Sequence, residues 1–260
     1  MAEPIIRLID VSVRFDQQTV LEGVTLDVIP HQTLALIGES GCGKSVTLKL
    51  LVGLLKPTSG HVLFEGKSVQ KMTAGELAAM RRRVGFLFQQ AALFDSLSVF
   101  DNVAFGLRAK GGLSEESLCQ TVRDRLQEVG LSAASEAKMP AELSGGMRKR
   151  VGLARALALD PDVMLYDEPT TGLDPITTDA INELILNTRS RRPVTGLVVT
   201  HELRTVHAVA DRVVMLVPHA RRNPSESQII YDGPPGGLHE YDDPRVRQFV
   251  NVGHVFQRAM

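Results

Sequence analysis

The segment Gly38-Glu39-Ser40-Gly41-Cys42-Gly43-Lys44-Ser45 fits the pattern G-x-x-x-x-G-K-[ST]. Glycines let the backbone curl so that several N–H groups point at one anion. A helix opening directly afterwards adds its positive N-terminal end. Lys44 is placed to neutralise the β and γ phosphates of a nucleotide, and the Ser45 hydroxyl suits Mg²⁺. Cys42 inside the loop reads as a small filler rather than a reactive thiol.

A second group of chemically capable residues closes the apolar run Val163-Met164-Leu165-Tyr166 with Asp167 and Glu168. Asp167 at a strand end can hold Mg²⁺ through water, and Glu168 can polarise an attacking water. Adjacent residues on a strand face opposite ways, so the two acids cannot share one role there. Alone they would read as solvated acids; beside a phosphate loop they read as functional. A third group, Leu143-Ser144-Gly145-Gly146-Met147, precedes a helical pattern carrying Arg148, Lys149 and Arg150. Ser144 is a good N-cap, and the glycines leave backbone donors open at a helix start. Two phosphate-binding helix starts in one chain mean either two sites on one nucleotide or one site for a nucleotide held by a second subunit.

These groups need a scaffold. The first 30 or so residues alternate apolar and polar, as in Val24-Thr25-Leu26-Asp27-Val28, which predicts antiparallel strands with one wet face. Residues 34–37, 163–166 and 197–200 are continuous apolar runs, the mark of central parallel strands buried on both faces. Helical patterns at 147–159 and 178–188 alternate with them, so a doubly wound α/β sheet is expected. Between about 91 and 141 no central strand is evident. Helices are expected there over 101–108 and 115–129, separated by Gly111-Gly112, as an inserted helical subdomain. The end is broken by Pro218, Pro224, Pro234, Pro235 and Gly236-Gly237 around one more strand, 228–232. The main domain is expected over 1–250, with a tail over 251–260.

The chain has 260 residues, enough for a sizeable core, with 43% hydrophobic and 23% charged residues. A net charge of −1 supplies no global field for nucleic acid, which is not an expected partner. Two cysteines, Cys42 and Cys119, argue against a disulfide framework and for a reducing compartment. The start, Met1-Ala2-Glu3-Pro4, does not look like a secretory signal. No run of about 18 apolar residues occurs, so a membrane role would need a separate spanning subunit.

In order along the chain stand the phosphate loop, Gln89, the Ser144 motif, Asp167-Glu168, Asp174 and His201. In this order and over nearly its whole length the sequence resembles the ABC-transporter nucleotide-binding subunits. The resemblance implies a P-loop NTPase fold with a mostly parallel core sheet, an N-terminal antiparallel β-subdomain and the inserted helical subdomain. It implies a head-to-tail dimer with a second copy, in which Ser144, Gly145 and Gly146 of one subunit cap the ATP held by the other. It assigns Gln89 to Mg²⁺ or water and to sensing the membrane partner, His201 to the γ-phosphate, Asp174 to the dimer loop and Phe15 to stacking on adenine. Glu168, His201, Lys44 and Gln89 form the implied catalytic set, and Ser45, Gln89 and Asp167 the implied Mg²⁺ set. Val46 stands where threonine is common, and Met147 where most of the family has glutamine. Met147 removes an amide, but the Ser144 and Gly145 contacts remain, and activity is expected to survive.

Leu143-Ser144-Gly145-Gly146-Met147-Arg148-Lys149-Arg150 resembles the ATPases of lipid transporters that work with MCE-domain proteins, the Mla type. So do residues 89–105 and Val246-Arg247-Gln248-Phe249-Val250. The partners so implied are a multi-span membrane permease and an MCE-domain protein. The implied place is peripheral, on the cytoplasmic face of the inner membrane. Phe86, Phe88, Phe94, Phe100 and Phe105 could be core or could line a groove for a partner helix; the resemblance puts the permease's cytoplasmic helix beside Gln89. Rival readings are an importer ATPase for amino acids or another polar solute, and a soluble ABC ATPase without transport.

Overall fold

The computed structural model describes residues 3–223 and 225–258. Met1 and Ala2 of the expected start, Pro224 of the broken end and the last two residues of the expected tail lie outside the described residues. The chain runs through β1 (Ile6–Phe15), β2 (Gln18–Val28), β3 (Thr33–Gly38), α1 (Lys44–Leu51), β4 (Ser59–Phe64), β5 (Lys67–Ser68) and α2 (Ala74–Arg82). Next come β6 (Val84–Leu87), α3 (Val99–Lys110), α4 (Glu115–Glu128), α5 (Gly145–Leu157), β7 (Val163–Asp167) and α6 (Pro175–Arg191). The last part holds β8 (Thr195–Val199), α7 (Leu203–Val209), β9 (Arg212–Leu216), β10 (Ile229–Gly233) and α8 (Pro244–Arg258). These elements form two compact units, residues 3–81 with 195–258, and residues 82–194.

The first unit carries two sheets. The N-terminal strands form the antiparallel sheet that their alternation predicts, in the order β2-β1-β4-β5. In the second sheet β3 lies between β8 and β9, parallel to both, and β10 adds antiparallel to β9. All residues of β3 and β8 are buried, which accounts for their continuous apolar runs. β9, with Val213, Val214 and Met215 buried, is a core strand that the sequence reading did not single out. The end of the chain is more regular than its prolines and glycines suggested. Val246 and Val250, four residues apart, are buried with Phe249 packed beside them, in one cluster with Tyr231 and Leu238. That spacing places them on one face of α8, which continues through residues 251–258 where a tail was expected.

The second unit pairs β6 with β7 in parallel register and carries α3 to α6. α3 begins where Ser98 Oγ accepts the Asp101 N–H at 3.0 Å, and it stops at Gly111, whose φ of 72° suits glycine. α4 restarts at Ser114, whose hydroxyl accepts the Ser117 N–H at 3.2 Å. The buried Asn102 amide holds the preceding loop. It accepts from Phe94 N–H at 2.8 Å and donates to the carbonyls of Phe94, Leu97 and Ser98 at 3.0 to 3.1 Å.

Candidate nucleotide site

The phosphate loop joins β3 to α1, as the sequence requires. At two of its glycines a side chain would not fit. A Cβ on Gly38 would lie 2.2 Å from the Leu216 carbonyl oxygen, and one on Gly43 would lie 2.4 Å from Leu21 Cδ2. Both also hold φ values that disfavour side chains, 142° and 103°. Gly43 stands at the cap position of α1, and no side chain caps that helix. Lys44 is buried and curls back along the loop. Its Nζ donates to the Gly38 carbonyl at 2.7 Å and to the Glu39 carbonyl at 3.1 Å. The Cys42 thiol is fully buried, and burial pushes its pKa up, only partly offset by the nearby Lys44 charge. A protonated, enclosed thiol agrees with its reading as a filler.

Two side chains far along the sequence fasten this loop, and no local pattern marks them. Arg221 Nη1 donates to both carboxylate oxygens of Glu39, at 2.8 and 2.6 Å. The buried Gln228 amide donates to the carbonyls of Val20, Cys42 and Val217 at 2.9, 3.2 and 3.0 Å, and accepts from Glu22 N–H at 3.0 Å. Sequence reading treated 228 only as the first residue of a strand.

In the same unit, β8 runs beside β3 with Val199 paired to Leu36, and Thr200 N–H donates to the Leu36 carbonyl at 3.3 Å. His201 therefore leaves its strand level with Gly38, at the end of the sheet where the phosphate loop begins. Phe15 ends β1 and is 44% exposed.

The second unit holds the other expected residues. Leu87 pairs with Tyr166, so Gln89 and the Asp167-Glu168 pair emerge from the same end of parallel neighbours. β7 ends at Asp167, and Glu168 takes a φ of 49°, outside strand geometry. The strand alternation expected for the two acids thus stops between them, and a left-handed turn, not the pleat, sets the direction of Glu168. A non-glycine residue held there is strained, a feature that clusters at functional sites. The buried Lys149 from α5 donates to the Glu168 carbonyl at 2.8 Å, and Thr171 Oγ1 donates to Glu168 Oε2 at 2.9 Å. The lysine ties the helix of the Ser144 motif to the carboxylate turn.

At that helix start Ser144 Oγ accepts the Met147 N–H at 3.2 Å, as its N-cap reading requires. Gly146 answers a packing need. A Cβ there would lie 2.7 Å from Thr177 Cγ2. Asp174 caps α6, accepting from the Ile176 and Thr177 N–H groups at 3.1 and 3.0 Å and from Thr177 Oγ1 at 2.6 Å. These bonds, the Thr177 hydroxyl first, hold its carboxyl below the usual range. Phe94 and Phe105 are 41% and 49% exposed with ring centroids 4.5 Å apart, whereas Phe86 and Phe88 stack on each other at 4.1 Å.

The residues expected at Mg²⁺, Ser45, Gln89 and Asp167, carry hydroxyl, amide and carboxylate oxygens, the hard donors that this ion takes. Among the described residues no three His, Cys, Asp or Glu side chains cluster to hold a metal, and no helix is long and apolar enough to cross a membrane.

A family model described as "ABC transporter" matches residues 21–171. The chain is 42% identical over 237 residues to the probable ribonucleotide transport ATP-binding protein mkl of Mycobacterium leprae, covering 91% of this chain and 66% of that protein. It thus spans just under two thirds of that relative's length. It is 38% identical over 242 residues to the intermembrane phospholipid transport system ATP-binding protein MlaF of Escherichia coli K12, covering 93% and 87%. Among solved structures, a dimeric ATP-binding cassette in a post-hydrolysis state, bound to ADP and Pi, matches with a TM-score of 0.76 at 30% identity, over 82% of this chain and 96% of that one.

Proposed function

The chain belongs to the ABC transporter family, and on that premise we propose that it binds and hydrolyses ATP to energise lipid movement through a separate membrane permease. The observation that carries the reading is the loop at 38–45, with three glycines at positive φ, an uncapped helix start and a buried lysine. Such a loop gathers backbone donors, a helix dipole and one cation on a phosphate chain.

In this reading residues 38–46 hold the phosphates, and Phe15 supplies an exposed face for the adenine. Bound Mg²⁺, for which Ser45, Gln89 and Asp167 are the expected ligands, would neutralise phosphate charge. Glu168 orients and deprotonates the attacking water, and His201 meets the γ-phosphate. Ser144, Gly145, Gly146 and Asp174 serve the nucleotide of a second copy in a head-to-tail dimer. The E. coli relative is named for phospholipid transport and the mycobacterial one for ribonucleotide transport. The lipid reading is favoured because this chain covers far more of the former's length. Residues 91–141 act as the helical subdomain, and the exposed Phe94–Phe105 pair receives the permease's cytoplasmic helix. An MCE-domain protein completes the assembly at the inner membrane.

The test is steady-state hydrolysis by the purified protein and its Glu168→Gln variant. Turnover should fall by roughly 10²–10⁴-fold while ATP binding persists. Undiminished turnover would remove Glu168 from its role. Purification from native membranes should bring a multi-span permease and an MCE-domain protein. A solute-binding protein in their place would favour the importer of polar solutes. Alanine at both Phe94 and Phe105 should release the permease.

A further inference from the structure

The connection from β9 to β10, residues 217–228, is long for neighbouring antiparallel strands, which two to five residues can join. Its ends meet where Val217 N–H donates to the Gln228 carbonyl at 3.0 Å. Its interior is tied down at several points. Glu22 accepts from His219 Nε2 at 3.0 Å and from Arg222, and Arg245 Nη1 donates to Glu226 Oε2 at 3.0 Å. The connection delivers one buried polar side chain to the phosphate loop, that of Gln228, which is 1% exposed. Its two N–H groups are shared among the carbonyls of Val20, Cys42 and Val217, and its oxygen takes the Glu22 N–H.

The bond to Cys42 has a directional consequence. The Cys42 carbonyl belongs to the same peptide plane as the Gly43 N–H. In a trans peptide, and no described residue has a cis bond, the C=O and N–H point in opposite directions. Holding the Cys42 oxygen on Gln228 therefore aims the Gly43 N–H away from Gln228. Gly43 needs this help, because at φ 103° glycine has many alternative conformations and no side chain to limit them. A loop that must be ordered on binding loses affinity, and one ordered beforehand does not.

We propose that Gln228 is a positioning residue for nucleotide binding, which fixes the Cys42–Gly43 peptide so that its N–H faces the phosphates. The inference rests on the nucleotide reading of residues 38–45. Such a residue acts alike in the ground state and the transition state. Its loss raises KM without lowering kcat.

The experiment uses the full chain, with Gln228→Leu and the isosteric Gln228→Glu. The glutamate keeps the acceptor for Glu22 N–H and loses the donors to the carbonyls. Expected for both is a roughly tenfold rise in KM for ATP and in Kd for ADP, with kcat at saturating ATP within about twofold. Melting without nucleotide reports stability separately. An unchanged KM with a lower melting temperature would overturn the proposal, as would a lower kcat at unchanged KM. Failure of both variants to melt cooperatively would overturn it as well, by assigning Gln228 to folding. An unmodified protein that binds neither ATP nor ADP would overturn the nucleotide reading itself, a result that no variant can mimic.

Discussion

The starts of α1 and α5 share a composition and differ in physics. Both are glycine-rich turns that open a helix, and both were expected to bind an anion. At α1 the glycines are needed for their φ values and for close approach, and no side chain caps the helix. At α5 neither Gly145 nor Gly146 has a positive φ, and Ser144 already takes the Met147 N–H. Gly146 is small because Thr177 leans on it. The first has the features of an anion nest, positive-φ glycines and a helix start that no side chain caps. The second is an ordinary capped helix, kept slim on one side by packing; the proposed function gives it the nucleotide of a second copy. Glycine content alone does not separate these cases; the φ values and the neighbours of each missing Cβ do.

The largest effect that tests this comparison is expected from Lys44→Ala. Lys44 Nζ, now held by two loop carbonyls, is the one cation built into the nest. Losing a charge-assisted interaction of about 1.5–3 kcal/mol weakens ATP binding by roughly 10- to 100-fold. Calorimetric titration checks it, and unaltered affinity would contradict the nest. Next is Gly146→Ala, where the added methyl overpacks against Thr177 at about 1–3 kcal/mol and lowers the melting temperature by several degrees. Adding Thr177→Ser removes the opposing methyl and keeps the Oγ1 bond to Asp174, so the melting temperature should recover. No recovery would mean that Gly146 is not there for packing. Ser144→Ala should cost about 1 kcal/mol through the lost cap, read as a melting shift of a few degrees. No shift would equate α5 with the uncapped α1.

The smallest effect concerns Asp174, beside the same packing contact. Its folded carboxyl lies below the unfolded value of 3.8. Its contribution is therefore fully present above about pH 4 and is lost as pH falls through the depressed folded value. Asp174→Asn should make the acid limb of the melting profile slightly shallower below about pH 4. An identical limb would mean that the charge at the start of α6 contributes nothing.

Much of the scaffold was legible because the signal is local. The buried runs of β3, β7 and β8 lack alternation, and Ser144 sits three residues before the N–H group it caps. β9 was missed although its run is equally apolar, because no chemically distinctive residue follows it. α8 was missed because prolines and glycines before it masked the four-residue spacing of Val246 and Val250. Among site residues, the turn at Glu168 could not be read, since a strand pattern ending in two acids gives no hint of φ.

The sequence by itself determined the nucleotide chemistry. A phosphate loop needs glycines, lysine and serine at fixed spacing within one turn, and those residues are contiguous. Only the tertiary structure decided what holds that loop still. Gln228 lies 186 residues from Cys42, and Arg221 lies 182 from Glu39. Both reach the loop because β9 lies beside β3 and β10 folds back along β9. Hydrogen bonds depend on distance in space, and strand order is what converts a separation of that length into about 3 Å.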